Sequence, residues 1–279
     1  MYSKPTTPLS IGQVLDGSFR LMGSGWKGVW VLALLGALAA NAGAIYQVIV
    51  QAILSTPPTS LKLAVINGVV TIGGIILSVV IYAAMTIRLN RLAANEPTAG
   101  ELWAALRRLP GLIGLGICYS LVLAASSIPT AAYLLMSWPN IGVTEVVIAS
   151  VLSAPFWLYA VSLYLSQTIL LLERLGPIKS LNASHRLIWG KWWRTATILT
   201  VGGIIILVTY LIAGFAGALG GAVMSGGEAI LATTIAMVVV IAAISMFIGP
   251  YLVSLLLVIY WDLKLRKEGG DLAARAEAV

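Results

Sequence analysis

The chain has 279 residues, of which 59% are hydrophobic and 10% charged, and its formal net charge is +7. An ordinary soluble domain is roughly one quarter charged, so this composition excludes a typical soluble globular protein. The single cysteine, Cys118, excludes an intrachain disulfide.

The charged residues are segregated along the chain. Six stretches of 25 to 36 residues contain no Asp, Glu, Lys or Arg, and a helix that crosses about 30 Å of hydrocarbon needs roughly 20 apolar residues. Continuous runs such as TIGGIILSVVIYAAM favour helices over barrel strands, which alternate. Six buried helices of a soluble protein are the alternative, but they leave little polar surface for water. The sequence therefore predicts an all-α, polytopic membrane protein with spans near residues 30–54, 63–87, 112–136, 146–171, 196–222 and 232–260.

Three related segments each precede a pair of spans. Ser10-Ile-Gly-Gln13, Thr98-Ala-Gly-Glu101 and Gly176-Pro-Ile-Lys179 all begin ten residues before an Arg-Leu pair. The first two match a capping box, and the third has proline at the first helical position. We therefore predict a single transmembrane domain of three units, each with one interfacial amphipathic helix and two spans, over 9–87, 97–172 and 176–261, followed by a cytoplasmic tail at 262–279.

The short helices of these units are amphipathic. The apolar face is predicted to consist of Ile11, Val14, Leu15, Phe19 and Met22 in the first unit, and of Ile178, Leu181, His185, Ile188 and Trp192 in the third. Such a helix lies along the water–lipid boundary, with its basic side chains on lipid phosphates and its indoles among the headgroups. We expect His185 to be interfacial rather than a proton shuttle. The predicted interface and headgroup residues are Arg20, Trp26, Lys27, Arg108, Arg186, Trp189, Lys191, Trp192, Trp193 and Arg194.

The basic residues give the orientation. With these spans, 16 of the 17 basic residues lie on one side of the membrane and only Lys62 lies on the other. The positive-inside tendency then places both termini in the cytoplasm. Anionic headgroups account for the positive charge, so we expect membrane lipids as partners and no nucleic acid. Cleavage of a signal peptide after GVWVLALLGALAANAGA is the alternative for the first span, but Asp16 and the apolar run to Leu54 argue against it.

Three segments resemble a known family: PLSIGQVLDGSFRL, LLLERLGPIKSLNASHRLIWGKWWRT and YWDLKLRKEGGDL. The chain is similar to a bacterial inner-membrane family named for the membrane region attached to some glycerophosphoryl diester phosphodiesterases. His185 departs from the aromatic residue that is more frequent there. The resemblance implies a location in the bacterial inner membrane. In the fused enzymes catalysis belongs to a separate soluble barrel, for which this chain has no room.

Few residues carry catalytic chemistry. The chain has one histidine and ten acidic residues, and neither a glycine-rich phosphate loop nor a Gly-x-Ser-x-Gly sequence. A hydrolytic metal site needs several such ligands in one cleft. We therefore expect no enzymatic activity, metal or cofactor. Asp262 with Arg266, and Glu173 with Arg174, are predicted to form local ion pairs.

The spans contain polar amides and glycines but no charge. An ion-coupled carrier usually binds its ion through a charged or ionisable group inside the membrane, so the sequence disfavours one. Gln47, Gln51 and Asn67 are predicted either to line a pore or to form interhelical hydrogen bonds. Small residues allow close helix approach, within one protomer or between protomers, and the candidates are Gly214, Gly217 and Gly221.

Three functions fit these features. The first is a non-catalytic homo-oligomer that binds or encloses lipid and forms a pore or perturbs the bilayer. The second is an uncoupled permease for a small or apolar solute. The third, which rests on the family resemblance, is an accessory membrane subunit of a lipid-modifying enzyme.

Overall fold

The computed structural model describes residues 2–54, 61–223 and 227–277, without the side chains of residues 54, 213, 216–223, 227–231, 268 and 270–277. Over these residues the chain is all-helical and contains no strand. The helices are α1 (Ile11–Ala40), α2 (Ala42–Leu54), α3 (Leu61–Ala93), α4 (Glu101–Arg107), α5 (Leu109–Ser137), α6 (Val143–Leu152), α7 (Ala154–Ser162), α8 (Ser166–Glu173), α9 (Pro177–Ile188), α10 (Trp192–Val223) and α11 (Gly227–Glu277).

Six helical segments are long and apolar enough to cross a membrane, and they confirm the predicted six-span, all-α architecture. Each contains more than the roughly 20 residues that a span requires. The protein is therefore a multi-pass membrane protein. The segments are Ile11–Ala40, Leu61–Ala93, Leu109–Ser137, Val143–Glu173, Trp192–Ile212 and Ala232–Lys267.

The first predicted interfacial helix is not separate from the first span. Helix α1 begins directly after Ser10 and runs without interruption to Ala40. A one-residue turn at Asn41 divides the predicted span 30–54, but the helical hydrogen bonds continue through it: Asn41 N donates to Ala37 O (3.1 Å) and Ile45 N donates to Asn41 O (2.9 Å). Only local distortion therefore separates α1 from α2.

Of the helix starts predicted for the other two units, the second is wrong and the third is confirmed. Helix α4 begins at Glu101, so the capping box predicted at Thr98 is wrong. Gly100 lies between them with φ +71°, in the left-handed region that glycine favours, and this ends any helix begun earlier. In the third unit, α9 begins at Pro177 after an extended Gly176, which confirms the prediction of proline at the first helical position.

The fourth span is broken into three short helices. The first break, at Ser153, precedes Pro155, which lacks the N–H that would continue the hydrogen-bond ladder. The second break has no proline. There, Tyr164 N donates to Val161 O (3.2 Å) and Ser166 N donates to Leu163 O (3.1 Å), so the turn is tightened to three-residue spacing.

The described chain forms two compact units, residues 1–4, 12–106 and 200–258, and residues 5–11, 107–199 and 259–279. In the first unit, glycines allow helices to approach closely. A Cβ at Gly74 would collide with the carbonyl oxygen of Ala39, and one at Gly43 would collide with the hydroxyl of Thr71. Small residues at such positions let helix backbones pack in membranes, where hydrophobic burial offers little driving force.

The side of α1 that packs against the rest of the protein differs from the predicted lipid-facing side. The buried stripe of α1 includes Val14 but then follows Gly17, Leu21 and Gly25, whereas Phe19 is 43% exposed. Small residues decide the difference, because the ring of Tyr2 covers Gly17 and Leu89 covers Gly25. Hydrophobicity alone does not identify the helix face that packs closely against its neighbours.

In α9, the side that packs against the protein and the predicted lipid-facing side overlap in part. Leu181 and Ile188 are buried against the protein, Ile178 is 73% exposed, and the rest of the buried face is formed by Ser180 and Ser184. In the second unit, this face packs against α5, α7 and α8. Ser184 Oγ donates to Ser162 O at 2.8 Å. The buried face of α9 therefore includes a hydroxyl that satisfies a carbonyl beside a helix break.

Candidate functional site

A cavity of about 590 Å³ lies in the second unit, between α8, α9 and the C-terminal part of α11. Its volume falls within the range of small-molecule sites. The lining is mixed, with Glu173, Lys179, Asn182, Arg186, Lys264 and Lys267 as polar residues, and Ile169, Leu175, Ala183 and Leu187 as apolar ones. Such a lining suits an amphipathic ligand.

Helix α9 presents three polar side chains to this cavity. Lys179, Asn182 and Arg186 follow one another at spacings of three and four residues, which places them on one helix face. All three are exposed. The opposite side of α9 is fixed by Ser184, whose hydroxyl donates to the Ser162 carbonyl. The cations therefore project from an anchored helix.

Glu173, the only acid among the described residues of the cavity lining, is already engaged. Tyr260 donates its hydroxyl to Glu173 Oε1 at 2.7 Å, and Lys264 Nζ lies 3.2 Å from the same oxygen. Lys264 also donates to the Tyr260 oxygen at 3.2 Å and lies 5.5 Å from the ring centroid. The predicted Glu173–Arg174 pair is therefore wrong. Arg174 adopts φ +58° as the cap of α8, and the carboxylate pairs across to α11 instead.

The cavity lining carries a net positive charge. The described residues of the lining include four basic residues and one acidic residue, which gives +3. Because Glu173 is paired with Lys264, the cations Lys179, Arg186 and Lys267 have no acidic partner among the described residues. Clefts lined by one sign of charge concentrate ions of the opposite sign, and Lys and Arg are the usual phosphate ligands. The arrangement is suited to bind an anion.

A second charged cluster lies in the same unit and holds three segments together. Asp262, whose side chain is 1% exposed, pairs with Arg266 at 3.1 Å, as predicted, and with Arg194 at 2.9 Å. The backbone N–H of Leu9 donates to Asp262 Oδ1 at 2.8 Å, and both guanidinium groups donate to the Leu9 carbonyl. The guanidinium of Arg194, a predicted headgroup contact, is occupied in this cluster, and Arg194 does not line the cavity between α8, α9 and α11.

The predicted interfacial tryptophans surround a separate cavity of about 590 Å³. It is lined by Trp189, Lys191, Trp192 and Trp193 together with Leu158 and neighbouring residues. Trp192 donates its indole N–H to the Leu158 carbonyl at 3.2 Å, whereas Trp193 is 80% exposed. The ring of Trp189, which is 57% exposed, lies 4.9 Å from that of His185. These indoles have the exposure expected of interfacial anchors.

The remaining predicted interface residues do not line the positively charged cavity between α8, α9 and α11. Arg20 pairs with Asp16 at 2.8 Å, and both side chains are largely exposed. Trp26 stacks on Phe247 with ring centroids 5.0 Å apart, so its ring belongs to the packing of the first unit. Lys27 is exposed, and Arg108 is half-buried at the start of α5.

The predicted polar contacts in the first unit are not brought together. Gln47 is exposed and Gln51 is half-buried, and neither has a hydrogen bond to another described residue. The side-chain oxygen of Asn67 is buried, also without a described hydrogen-bond partner. The structure instead uses Asn41, whose amide lies 3.4 Å from the hydroxyl of Ser245.

The predicted packing glycines are only partly described. Around Gly214, no described atom lies within 4 Å of where a Cβ would stand. The packing of Gly217 and Gly221 lies outside the described residues. Close approach occurs instead at other glycines. Gly202 is one of these, since a Cβ there would lie 2.5 Å from a methyl group of Leu255.

Among the described residues, no group of three or more His, Cys, Asp or Glu side chains is placed to hold a metal ion. Comparisons of the chain with protein-family models, with curated proteins and with solved structures find no match. The family resemblance therefore stays a prediction.

Proposed function

We propose that this protein is a non-catalytic integral membrane protein of the bacterial inner membrane that binds the phosphate of anionic lipid headgroups. The binding site is the cationic cavity formed by Lys179, Asn182, Arg186, Lys264 and Lys267. The observation that carries the proposal is the net charge of +3 in a cavity that also has an apolar lining. A free anion needs only the positive charge of the cavity, whereas a lipid contacts both the charged and the apolar lining residues.

The position of the cavity in the chain supports a lipid ligand. Glu173 ends the fourth membrane-spanning segment, and Lys264 and Lys267 follow the apolar part of the sixth. The positive-inside tendency assigns these ends to the cytoplasmic leaflet, where anionic headgroups are concentrated. Leu175 and Leu187, which are half-buried, then provide a surface for the glycerol and the first methylene groups of the lipid.

The test is lipid binding by the purified protein and by variants that each lose one charge. Native mass spectrometry in detergent, titrated with dioctanoyl phosphatidylglycerol, measures a dissociation constant without a charged membrane surface. Removal of a partly exposed phosphate contact costs about 1 kcal/mol, which is about fivefold in affinity. We expect this loss for Lys179→Gln and for Arg186→Gln. Lys62→Gln, which removes an exposed charge outside the cavity, should bind as the unaltered protein does.

A result of equal affinity for all three variants would reject the cavity as the headgroup site. Such a result is informative because the substituted side chains are exposed, so the variants should fold. A melting temperature within about 2 °C of the unaltered protein confirms this for each variant, since exposed substitutions usually change stability by less than about 0.5 kcal/mol.

A homo-oligomer that encloses lipid or a pore is the second candidate, and one observation favours it. Gln47 is exposed on α2 within a predicted span, and a polar side chain is costly against lipid unless another group covers it. Mass measurement in detergent should give a multimer that Gln47→Leu converts to monomer. A monomeric unaltered protein would exclude this candidate. The uncoupled permease and the accessory subunit stay predictions.

A further inference from the structure

We infer that the cationic cavity prefers phosphate groups with two or more negative charges, phosphomonoesters or diphosphates, over the singly charged phosphodiesters of most headgroups. The inference rests on the proposed function and deepens it by naming the ligand class. It predicts a lipid whose phosphate is terminal.

The charge count is the first argument. Once Glu173 and Lys264 neutralise each other, three cations remain without an acidic partner among the described residues. A phosphodiester carries one negative charge and would leave two of these cations uncompensated. A phosphomonoester carries about −1.5 to −2 at pH 7, and a diphosphate more, which matches the cavity more closely.

The arrangement of donors is the second argument. Lys179 and Arg186 extend from α9, and Lys267 extends from the C-terminal part of α11, so the cations line the cavity from two elements. Asn182 lies between the two α9 cations on the same face and adds a neutral donor. A terminal phosphate offers three acceptor oxygens and can bind all these groups, whereas a diester has only two unesterified oxygens.

Glu173 controls the charge of the site. Its carboxylate holds Lys264 at 3.2 Å and accepts the Tyr260 hydroxyl at 2.7 Å. Glu173→Gln keeps an oxygen that can accept the Tyr260 hydroxyl but removes the negative charge, which raises the net charge of the lining from +3 to +4. This variant should therefore bind a phosphomonoester more tightly, although it removes an ion pair. A merely structural role of Glu173 would weaken binding instead.

The experiment compares probes with the same acyl chains. Native mass spectrometry gives dissociation constants for dioctanoyl phosphatidic acid, a monoester, and dioctanoyl phosphatidylglycerol, a diester. We expect the unaltered protein to bind the monoester at least about tenfold more tightly than the diester. This preference should narrow to about two- to threefold in Lys267→Gln. Glu173→Gln should bind the monoester about threefold more tightly than the unaltered protein does. Glycerol 3-phosphate serves as the soluble phosphate and should bind at least about a hundredfold more weakly than phosphatidic acid.

The outcomes separate the two proposals. Equal affinities for the two lipids, with both still weakened by Lys179→Gln, overturn the charge preference and leave headgroup binding intact. A monoester preference that survives unchanged in Lys179→Gln, Arg186→Gln and Lys267→Gln overturns both, because the preference then arises elsewhere. Glycerol 3-phosphate that binds as tightly as phosphatidic acid supports the charge preference but rejects a lipid as the natural source of the phosphate.

Discussion

Replacement of Asp262 by Asn should destabilise the protein far more than the same replacement at Asp16. Both aspartates form an ion pair with the arginine four residues later, Arg266 and Arg20 respectively. They differ in surroundings. The side chain of Asp262 is 1% exposed and also pairs with Arg194, whereas that of Asp16 is 60% exposed. The two substitutions therefore compare the same chemistry in buried and exposed settings.

The size of the effect follows from what is left behind. Removal of one partner of a buried ion pair costs about 3–5 kcal/mol, because the other charge stays buried and uncompensated. Arg194 and Arg266 retain 19% and 27% exposure, so water partly solvates them, and we lower the expected cost to about 2–4 kcal/mol. Asn still accepts the Leu9 N–H through its amide oxygen, so the loss is mainly of charge. For Asp16→Asn we expect about 0–1 kcal/mol.

Thermal unfolding in detergent measures the difference. At roughly 3 °C per kcal/mol for a chain of this size, Asp262→Asn should lower the melting temperature by about 6–12 °C and Asp16→Asn by no more than about 3 °C. Hydrogen exchange adds a local readout. The Leu9 amide keeps an acceptor in Asp262→Asn, but the cluster should open more often once the charge is lost, so this amide should exchange faster in Asp262→Asn and not in Asp16→Asn. Melting temperatures within 2 °C of each other for the two variants would refute a stabilising role for the buried cluster.

Two further substitutions test the packing. Ser184→Ala removes the donor to the Ser162 carbonyl beside the break in the fourth span. The buried, unsatisfied carbonyl should lower the free energy of unfolding by about 1–3 kcal/mol in the same melting assay. A loss below about 0.5 kcal/mol would mean that the hydrogen bond contributes nothing. Gly74→Ala should cost about 1–3 kcal/mol, because its Cβ collides with Ala39. At Gly73 the Cβ would meet open space, so Gly73→Ala should be neutral or stabilising. Equal effects of the two substitutions would contradict the packing of α3 against the preceding helices.

The six spans could be predicted because their signal is local. Hydrocarbon tolerates little charge, so uncharged runs of 25 residues or more show where the chain crosses, without knowledge of its partners. Pro177 and the Asp262–Arg266 pair were predictable for the same reason, since each depends on residues within one helical turn. The break at Leu163 was not, because no proline marks it and side chains elsewhere in the unit satisfy the freed carbonyls.

The candidate site depends on contacts that spacing cannot reveal. The periodicity of α9 groups Lys179 with Arg186, but nothing in the sequence brings Lys264 and Lys267 to the same cavity. The pairing of Glu173 with Lys264 bridges 91 residues and replaced the predicted contact with the adjacent Arg174. Hydrophobic periodicity does not identify the buried faces of α1 and α9, because close packing in membranes selects Gly and Ser as well as large apolar residues.

Cysteine accessibility in whole cells tests most directly the central claim, that the cationic cavity lies on the cytoplasmic face of the membrane and that Lys62 lies on the other face. Single cysteines at positions 62, 138, 179 and 267, in a Cys118→Ser background, are treated with an impermeant maleimide before and after permeabilisation. The account predicts that positions 62 and 138 react in intact cells and that 179 and 267 react only after permeabilisation. Reaction of 179 or 267 together with 62 in intact cells would contradict it.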